Sequence, residues 1–437
     1  MNDTDPQSHP GPTIIARSDH SISRADISDN AIKVLYRLHK AGYQAYLVGG
    51  GVRDLLLGHH PKDFDVATDA NPEQVRALFR NCRLIGRRFR LAHVRFGREI
   101  IEVVTFRASA VEEHQQREQA DSGRILRDNV YGSIDEDIWR RDFTVNALYY
   151  NIADFTVWDY TSGMADVDAR TLRLIGDPET RYREDPVRML RAARFAAKLD
   201  FTIAPETAEP IKRLGALLRD VPPARLFDET LKLFQSGHGV RSLEVLLEHD
   251  LLQYLFPQAA ELLVGDEGEH TLTLLREGLA STDRRIRENQ PVTPMFLYAV
   301  FLWHPVFERA ASILEEFDVS QIEALLDACD EVSAQQQGHT TYPRRYSVPM
   351  KDMLVMQKRF ENQRGARAMR LLSHKRFRAA YDFLLLRAKC GEADPKLAEF
   401  WTEVQSLSES EQRKAFSVRR GGRRRPNQSQ QRAGIAR

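Results

Sequence analysis

The chain has 437 residues, 63 Lys and Arg against 62 Asp and Glu, a formal net charge of +1 and 42% hydrophobic residues. This length predicts about two to four domains, and the composition excludes a collagen-like, a wholly disordered and a disulfide-stapled chain. The longest apolar run, Met295–Trp303, has about half of the roughly 20 residues that a spanning helix needs. We therefore expect no membrane span and a cytoplasmic location.

The predicted elements begin with a polar, proline-bearing segment over 1–26, which we expect to be a disordered tail. Helices are predicted over 27–41 and 52–57, and from Pro72, where Asn71 and Gln74 give a capping-box pattern. Strands are predicted over 43–48, 64–68, 91–96, 99–106, 147–151 and 156–160, with a polar, mobile loop over 108–130. After about residue 180 the pattern is helical, most plainly over 183–199, 223–233, 240–247, 295–303, 319–332 and 375–389.

Asp63 and Asp65 are candidate catalytic residues. If they lie on one strand, both carboxylates point to the same face, because side chains i and i+2 do so. Two adjacent carboxylates stay ionised only near positive charge, and Mg²⁺ is commonly held by one or two carboxylates together with substrate phosphates. The alternative is an exposed polar face of an edge strand, which Asp-x-Asp alone does not exclude.

Three glycines, Gly49, Gly50 and Gly51, lie between the preceding strand and its helix. Glycine there lets backbone N–H groups approach a phosphate at the helix N-terminus, and Arg53 in the first turn could reach the same group. No Gly-Lys-Ser/Thr follows, so this is not a Walker loop. A plain tight turn is the alternative.

Glu102 is a candidate third acid, on the strand predicted over 99–106. It shares a strand face with Ile100, Val104 and Phe106, and a carboxylate in an apolar row is costly unless it meets a cation. Three acids on neighbouring strands could hold two metal ions. The alternative is a salt bridge to a nearby arginine.

A helix is predicted over 184–194, with Pro186 in its first turn and with Asp185 and Arg188 about one turn apart. A carboxylate that accepts and a guanidinium that donates can match the adenine edge, which offers an amino donor and a ring-nitrogen acceptor. Guanine and uracil reverse that pattern. An ordinary intrahelical salt bridge is the alternative.

Basic residues are concentrated in two segments. Residues 413–437 contain nine Arg or Lys and no acid, and residues 80–107 contain eight Arg against Glu99 and Glu102. Such runs suit a polyanionic partner, although a solvated charged surface is the alternative.

Four motifs, in this order and spacing, resemble the head-and-neck motifs of the bacterial-type nucleotidyltransferases. They are Gly50-Gly51-x-Arg53-Asp54, Asp63-x-Asp65, Arg140-Arg141-Asp142-Phe143-Thr144-x-Asn146-Ala147 and Glu184-Asp185-x-x-Arg188-x-x-Arg191. That superfamily includes tRNA CCA-adding enzymes and bacterial poly(A) polymerases. The resemblance implies an α+β fold, in which a polymerase β-like head with a mixed sheet is followed by all-helical neck, body and tail regions.

The resemblance implies a domain order for the whole chain. It places a catalytic head at 27–165, a helical neck with a nucleobase-recognition helix at 166–235, a helical RNA-binding body at 236–405 and a basic disordered tail at 406–437. It also implies two Mg²⁺ ions, with Mn²⁺ as an alternative ion, and ATP as the substrate. The metal-binding catalytic acids are Asp63, Asp65 and Glu102. The nucleotide-binding residues are Gly50, Gly51, Arg53, Arg141, Asp142, Glu184, Asp185, Arg188 and Arg191.

The segment Leu84–Val94 resembles the stretch that distinguishes the poly(A) polymerases from the CCA-adding enzymes, and the basic tail points the same way. This favours template-independent addition of AMP to RNA 3′ ends, in bacterial RNA turnover and with RNA-decay proteins as possible partners. The arginines expected to bind RNA are Arg87, Arg88, Arg90, Arg423, Arg424 and Arg425. A CCA-adding tRNA nucleotidyltransferase and a non-catalytic RNA-binding protein on a transferase scaffold are the alternatives.

Overall fold

A mixed eight-stranded sheet is the main feature of the first of two units, Met1–Tyr254 and Leu255–Arg437. The computed structural model describes residues 11–86, 90–108, 131–265 and 268–417, and the backbone of 118–119 and 125–127. The strands of the first unit are β1 Thr13–Ile15, β2 Ala45–Val48, β3 Asp65–Thr68, β4 Cys82–Ile85, β5 Leu91–Phe96, β6 Glu99–Thr105, β7 Glu118–Gln119, β8 Ile125–Arg127, β9 Leu148–Asn151, β10 Val157–Asp159, β11 Thr171–Leu172 and β12 Thr202–Ile203.

The strand order in the large sheet is β1-β10-β9-β2-β3-β6-β5-β4. Strands β3 and β6 run parallel, and all other neighbouring pairs in this sheet run antiparallel. A parallel pair needs a long crossover, and here the chain between β3 and β6 supplies a helix and the hairpin strands. The mixed sheet predicted from the sequence is therefore confirmed. Strands β7 and β8 form a separate pair, as do β11 and β12.

Short helices cover and connect these strands. They are α1 Asp29–Lys40, α2 Gly50–Leu56, α3 Pro72–Leu78, α4 Ile134–Asp137, α5 Gly163–Asp168, α6 Pro178–Glu184, α7 Val187–Leu199, α8 Pro205–Leu214, α9 Pro223–Phe234, α10 Gly239–Glu248 and α11 Leu252–Leu255. The capping box at α3 is present as predicted, because Asn71 accepts from the Gln74 N–H and Gln74 accepts from the Asn71 N–H, each at 2.8 Å.

The sheet core contains aromatic side chains from β2 and β9. Tyr46 and Tyr149 meet edge to face with ring centroids 5.9 Å apart, and Phe106 lies 6.1 Å from Tyr46. All three are buried. Edge-to-face pairs of buried rings contribute about 1 kcal/mol beyond their burial. This packing fixes β2 between β9 and β3. The glycine turn follows the last residue of β2, Val48, and Asp65 is the register partner of Val48, so both lie at the same end of the strand.

Several sequence predictions about local structure were wrong. Residues 11–26 are not a loose tail, because Thr13–Ile15 pairs with β10; residues 1–10 lie outside the described part. The predicted helix over 184–194 is broken: α6 ends at Glu184, Asp185 is extended with φ −148° and α7 starts at Val187. Pro186 accounts for the break, because proline disfavours the helical region for the residue before it. The strand β4 was missed, and most of the predicted loop over 108–130 lies outside the described residues.

The second unit is helical. Its helices are α12 Pro257–Leu262, α13 Gly268–Arg287, α14 Pro294–Glu316, α15 Gln321–Gln337, α16 Arg344–Phe360, α17 Gly365–Leu372, α18 Phe377–Lys389, α19 Pro395–Ser406 and α20 Glu409–Ala415. Its core includes the fully buried Trp401, which packs edge to face on Phe360 and donates its indole N–H to the Phe360 carbonyl at 2.9 Å. Of the described helices, none has both the length and the apolar character needed to cross a bilayer. The finer division into neck, body and tail stays a prediction.

Candidate active site

The glycine turn between β2 and α2 brings several candidate residues together. Gly49 has φ +71°, which glycine adopts at no steric cost, and it is the N-cap of α2. A Cβ atom at Gly49 would lie 3.8 Å from Arg141 Nη1 and 4.0 Å from Asp65 Oδ2. A Cβ atom at Gly50 would lie 3.2 Å from Arg53 Nη2. Because Gly49 and Gly50 have no side chains, the N-terminus of α2 stays open between the Asp65 carboxylate and the guanidinium groups of Arg53 and Arg141.

Asp65 and Glu102 are register partners on the parallel strands β3 and β6. Burial raises the pKa of Asp65 to about 6, with the nearby Glu102 carboxylate raising it further and Arg141 partly offsetting the shift. Asp63 raises it slightly as well, but Asp63 is exposed and precedes β3. The prediction that Asp63 and Asp65 share a strand face was therefore wrong, because the strand begins only at Asp65.

Glu102 does not lie in a buried apolar row. Strand β6 buries Ile101 and Val103, whereas Ile100 on the Glu102 face is 38% exposed. The Glu102 side chain is itself 45% exposed, and its Oε1 lies 3.3 Å from Nε2 of His93, its register partner on β5. The partner is thus a histidine rather than one of the nearby arginines.

These acids do not form a complete metal cage by themselves. Within the part of the chain that the structure describes, no three His, Cys, Asp or Glu side chains are arranged as a metal site. A Mg²⁺ ion does not need such a cage, because it usually keeps water ligands and binds one or two carboxylates plus substrate phosphates. The negative charge of Glu102 raises the pKa of Asp65, and a cation bound between the two carboxylates would offset this repulsion.

Arg53 is almost completely buried, with 2% exposure. Its Nη1 donates to Asn146 Oδ1, and its Nε and Nη2 donate to Asp54 Oδ1 at 2.9 and 2.6 Å. Arg141 is held in the same manner, because its Nε donates to the Tyr149 hydroxyl at 2.7 Å and its Nη2 pairs with Asp137 at 3.1 Å. Both guanidinium groups are therefore fixed before any ligand binds.

Asp142 connects the sheet to helix α7. Its Oδ2 accepts hydrogen bonds from Arg191 Nε, at 2.8 Å, and from Arg191 Nη2, and its Oδ1 accepts from the Phe143 N–H at 2.9 Å. Burial alone would raise the pKa of Asp142, but the Arg191 ion pair and these hydrogen bonds outweigh it and hold the pKa below its usual range.

The residues at the α6–α7 break do not form the intrahelical salt bridge that was the alternative to base recognition. Asp185 Oδ2 accepts from Arg225 Nη2 at 2.7 Å, so Asp185 and Arg188 do not form an intrahelical salt bridge. Arg188 Nη1 instead donates to Glu184 Oε2 at 2.9 Å and to the Arg181 carbonyl at 2.7 Å. The Asp185 and Arg188 side chains are 26% and 14% exposed. The break places Asp185 in an extended connection immediately before the helix that carries Arg188.

Sequence reasoning missed some residues that the fold adds to this site. Phe195 lies below three guanidinium groups, with ring-to-Cζ distances of 4.5 Å for Arg194, 5.4 Å for Arg191 and 5.7 Å for Arg53. The i, i+3 spacing from Arg191 could have indicated Arg194, because residues with that spacing share a helix face. Arg225 carries no comparable signal, since 40 residues separate it from Asp185.

Of the predicted RNA-binding arginines, the structure describes Arg90. Its Nη1 forms an exposed ion pair with Glu73 at 2.6 Å. Arg87 and Arg88, and likewise Arg423, Arg424 and Arg425, lie outside the described residues. Their assignment stays a prediction.

Three family models match the chain. "Poly A polymerase head domain" matches residues 45–173, "Probable RNA and SrmB- binding site of polymerase A" matches 200–263 and "Polymerase A arginine-rich C-terminus" matches 318–434. The first of these covers the glycine turn, the acids on β3 and β6, and the segment that holds Arg141 and Asp142.

The chain is similar to known proteins over nearly its whole length. It is 51% identical to "Poly(A) polymerase I" of Salmonella typhi, over 92% of this chain and 88% of that protein. It is 39% identical to the "CCA-adding enzyme" of Bacillus subtilis, over 52% of this chain and 55% of that protein. The fold is similar to that of a Thermotoga maritima CCA-adding enzyme solved with tRNA, with a TM-score of 0.56 at 19% identity, covering 89% of this chain and 85% of that one. The chain belongs to the poly(A) polymerase family.

Proposed function

We propose that this protein transfers AMP from ATP to the 3′-hydroxyl of RNA without a template and releases pyrophosphate. The observation that carries the proposal is the in-register pair of Asp65 and Glu102 beside the positive-φ turn at Gly49. Identity of 51% over 92% of the chain to a poly(A) polymerase, against 39% over 52% to a CCA-adding enzyme, supports poly(A) addition over CCA addition.

Asp65, Glu102 and Asp63 would hold two Mg²⁺ ions, with Mn²⁺ as an alternative ion. The raised pKa of Asp65 fits this assignment, because burial and the neighbouring Glu102 disfavour its charged form and a bound cation would stabilise that form. When bound, the ions would ease deprotonation of the attacking hydroxyl and neutralise charge on the departing pyrophosphate.

In the reaction, the RNA 3′-oxygen forms a new bond to the α-phosphorus of ATP. The bond from that phosphorus to the oxygen bridging to the β-phosphate breaks, pyrophosphate leaves, and the hydroxyl proton passes to solvent. The contribution of the chain is positioning and charge stabilisation, as expected for a phosphoryl-type transfer. The N–H groups of Gly50 and Gly51 and the guanidinium groups of Arg53 and Arg141 would bind the triphosphate, while Asp142 keeps Arg191 in place.

Base selection is assigned to the side chains at the α6–α7 break. The Asp185 carboxylate would accept from the adenine amino group, and the Arg188 guanidinium would donate to a ring nitrogen. Glu184 supports Arg188 through the 2.9 Å contact, and Arg225 supports Asp185. The donor and acceptor pattern itself rejects guanine and uracil.

RNA is expected to bind through basic segments that contact its backbone. Binding of this kind releases counterions and weakens steeply as salt increases. Association with RNA-decay proteins and a cytoplasmic location remain part of the proposal.

The test is an extension assay. The purified chain is given Mg²⁺ and either a labelled generic RNA or a tRNA lacking its 3′ end, with ATP and CTP singly and together. We expect long ladders on generic RNA with ATP and little extension with CTP. Addition of two C and one A to the tRNA alone would identify a CCA-adding enzyme, and RNA binding with no addition to either RNA would identify a non-catalytic scaffold.

Asn146→Ala tests how Arg53 is held. Removing the amide leaves the buried guanidinium with Asp54 as its remaining described hydrogen-bond acceptor, so the free energy of unfolding should fall by about 2 kcal/mol. The KM for ATP should rise about tenfold, because Arg53 is no longer held by Asn146 in the position from which it would bind the triphosphate. A tenfold change corresponds to roughly 1.4 kcal/mol of binding free energy. Denaturant titration and steady-state kinetics measure the two effects.

Asn151→Ala is the matched control. Asn151 accepts the Ala153 N–H in a turn of the same unit and takes no part in the site. It should leave the KM for ATP unchanged. An unchanged KM in Asn146→Ala as well would remove Arg53 from the ATP site.

A further inference from the structure

A cavity of about 620 Å³ lies within the second unit, between α13, the start of α14 and one side of α18 along its whole length. This volume falls in the range of pockets that bind small molecules, roughly 300–1,000 Å³. Apolar side chains form part of its lining, including Met295, Phe296 and Leu385. Phe296 is held by an edge-to-face contact with Phe383, at a centroid distance of 5.9 Å.

The remaining lining is dominated by cations. Six basic and two acidic side chains line the cavity: Arg284, Arg285, Lys375, Arg376, Arg378 and Lys389 against Glu277 and Asp382. Both acids already have partners within the cavity lining, because Lys389 pairs with Glu277 at 2.6 Å and Arg378 with Asp382 at 3.0 Å. The positive charge of the other four basic residues is therefore not neutralised by these acids.

Those four residues have no carboxylate partner among the residues that the structure describes. Arg285 Nε donates to the Pro291 carbonyl at 3.2 Å, and Arg284 Nη2 lies 3.4 Å from the Ser281 hydroxyl. Lys375 is exposed, and the buried Nε of Arg376 has no hydrogen-bond acceptor within the described part of the chain. A cavity lined by both apolar side chains and unneutralised cations suits a ligand that has both an apolar ring and an anionic group.

A basic segment leads into the cavity along the chain. Residues 364–378 contain six Arg or Lys and no Asp or Glu. Arg364, Arg367 and Arg370 are all exposed and recur at every third position on and next to α17, just before Lys375. Residues with this spacing lie on neighbouring parts of one helix surface. A row of cations that continues into a cavity fits a chain of phosphates rather than one small anion.

We propose that this cavity binds a nucleotide of single-stranded RNA, with the base against Phe296 and the adjoining phosphates on Lys375 and Arg376. Single-strand binding commonly combines an aromatic stacking platform with a positively charged groove. The proposal rests on the proposed function, in that RNA is taken as the substrate. It adds a base-binding site within the helical unit, whereas the proposed function requires only contacts to the RNA backbone.

The test measures the anisotropy of a fluorescein-labelled oligoadenylate of 15 nucleotides with the full chain, over a range of KCl concentrations. The double variant Lys375→Gln/Arg376→Gln should bind about tenfold more weakly at 0.1 M salt. The slope of log affinity against log salt should fall by about 1.4, since each phosphate contact to a single strand contributes roughly 0.7. The matched control Lys396→Gln/Arg344→Gln changes the same residue types at exposed positions outside the cavity lining and outside the two basic segments, and it should bind as the wild type does.

Phe296→Leu isolates the base contact. It should weaken binding about fivefold or more with an unchanged salt slope, because stacking contributes without releasing counterions. A second measurement does not depend on variants folding: an oligonucleotide carrying 4-thiouridine should crosslink to the wild-type chain within residues 290–296 or 375–389. Wild-type affinity and slope in the variants, or crosslinks confined to other segments, would overturn the proposal.

Two further arms separate the sources of failure. If ATP alone blocks the crosslink and the oligonucleotide affinity is unchanged in the variants, the ligand is a free nucleotide and the RNA proposal is wrong. AMP addition is measured in parallel. Cavity-dependent binding without any AMP addition contradicts the proposed function and leaves the cavity proposal standing, whereas AMP addition with equal KM for RNA in all variants contradicts the cavity proposal alone.

Discussion

Asp65→Asn is expected to lower AMP addition by at least about a thousandfold while making the ligand-free protein more stable. The activity falls because the substitution removes a proposed metal ligand next to the reacting phosphate, and a thousandfold corresponds to about 4 kcal/mol of transition-state stabilisation. Stability rises because the folded protein disfavours the charged form of this buried carboxyl, whose pKa is raised to about 6. Asparagine has nearly the same shape and carries no charge.

The stability difference should depend on pH in a defined direction. At low pH Asp65 is protonated in both the folded and the unfolded chain, so the wild type carries no penalty. Between about 4 and 6 the unfolded chain ionises first, and above about 6 the folded wild type carries the full cost of the charge. The variant should therefore unfold at a higher temperature than the wild type at pH 7–8, and the difference should shrink as the pH falls and vanish at roughly pH 3, below the unfolded pKa.

Mg²⁺ should reverse the order. The ion stabilises the wild type by binding the folded state, and it should raise the unfolding temperature of Asp65→Asn much less. The control is Asp69→Asn, four residues further along, where an exposed carboxylate accepts the Gln44 N–H at 2.8 Å. It should keep wild-type activity and the wild-type response to Mg²⁺. Near-normal AMP addition by Asp65→Asn would show that the catalytic carboxylates have been misassigned.

Asp185→Asn should reduce discrimination between ATP and GTP about a hundredfold, close to 2.7 kcal/mol. The carboxylate can accept hydrogen bonds but cannot donate one, so it excludes the carbonyl that guanine presents in place of the adenine amino group. An amide can turn to donate, which removes that exclusion. The ratio of kcat/KM for the two nucleotides measures the effect, and the loss should come mainly from faster use of GTP.

Arg183→Gln serves as its control. Arg183 lies two residues before Asp185, is 54% exposed and pairs with Glu179 at 2.7 Å. Nucleotide preference should be unchanged in this variant. The assignment of Asp185 to the base edge would have to be abandoned if Asp185→Asn lowered kcat/KM for ATP and GTP equally, because an equal loss indicates a general structural role.

The sequence pattern predicted correctly those elements that depend on interactions between residues close together in the chain. The cap at Asn71, the turn at Gly49–Gly51 and the hairpin strands β5 and β6 all depend on neighbours within a few residues, and the structure contains them. The same reasoning failed where proline decided the outcome, because the break at Pro186 leaves Asp185 outside the helix to which it was assigned.

Contacts between distant segments could not be derived from spacing. Arg225 pairs with Asp185 and His93 contacts Glu102 only because the helices and strands that carry them are brought together by tertiary packing. The exposed face of β6 was misjudged for a related reason. Alternation shows which residues of a strand share a face, but packing on the rest of the fold decides which face is buried.

The N-terminal strand has a consequence for how the protein can be shortened. Thr13–Ile15 occupies the open edge of β10, and His20 Nε2 lies 2.9 Å from the Phe155 carbonyl, which tethers the same segment to the β9–β10 turn. A chain that starts at residue 27 would keep every proposed catalytic group but leave β10 as an edge strand, paired with β9 on one side and without a partner strand on the side that β1 covers. Uncovered edge strands recruit strands from other molecules. Such a truncation should associate with itself and precipitate on storage, so a soluble shortened form has to begin before Thr13.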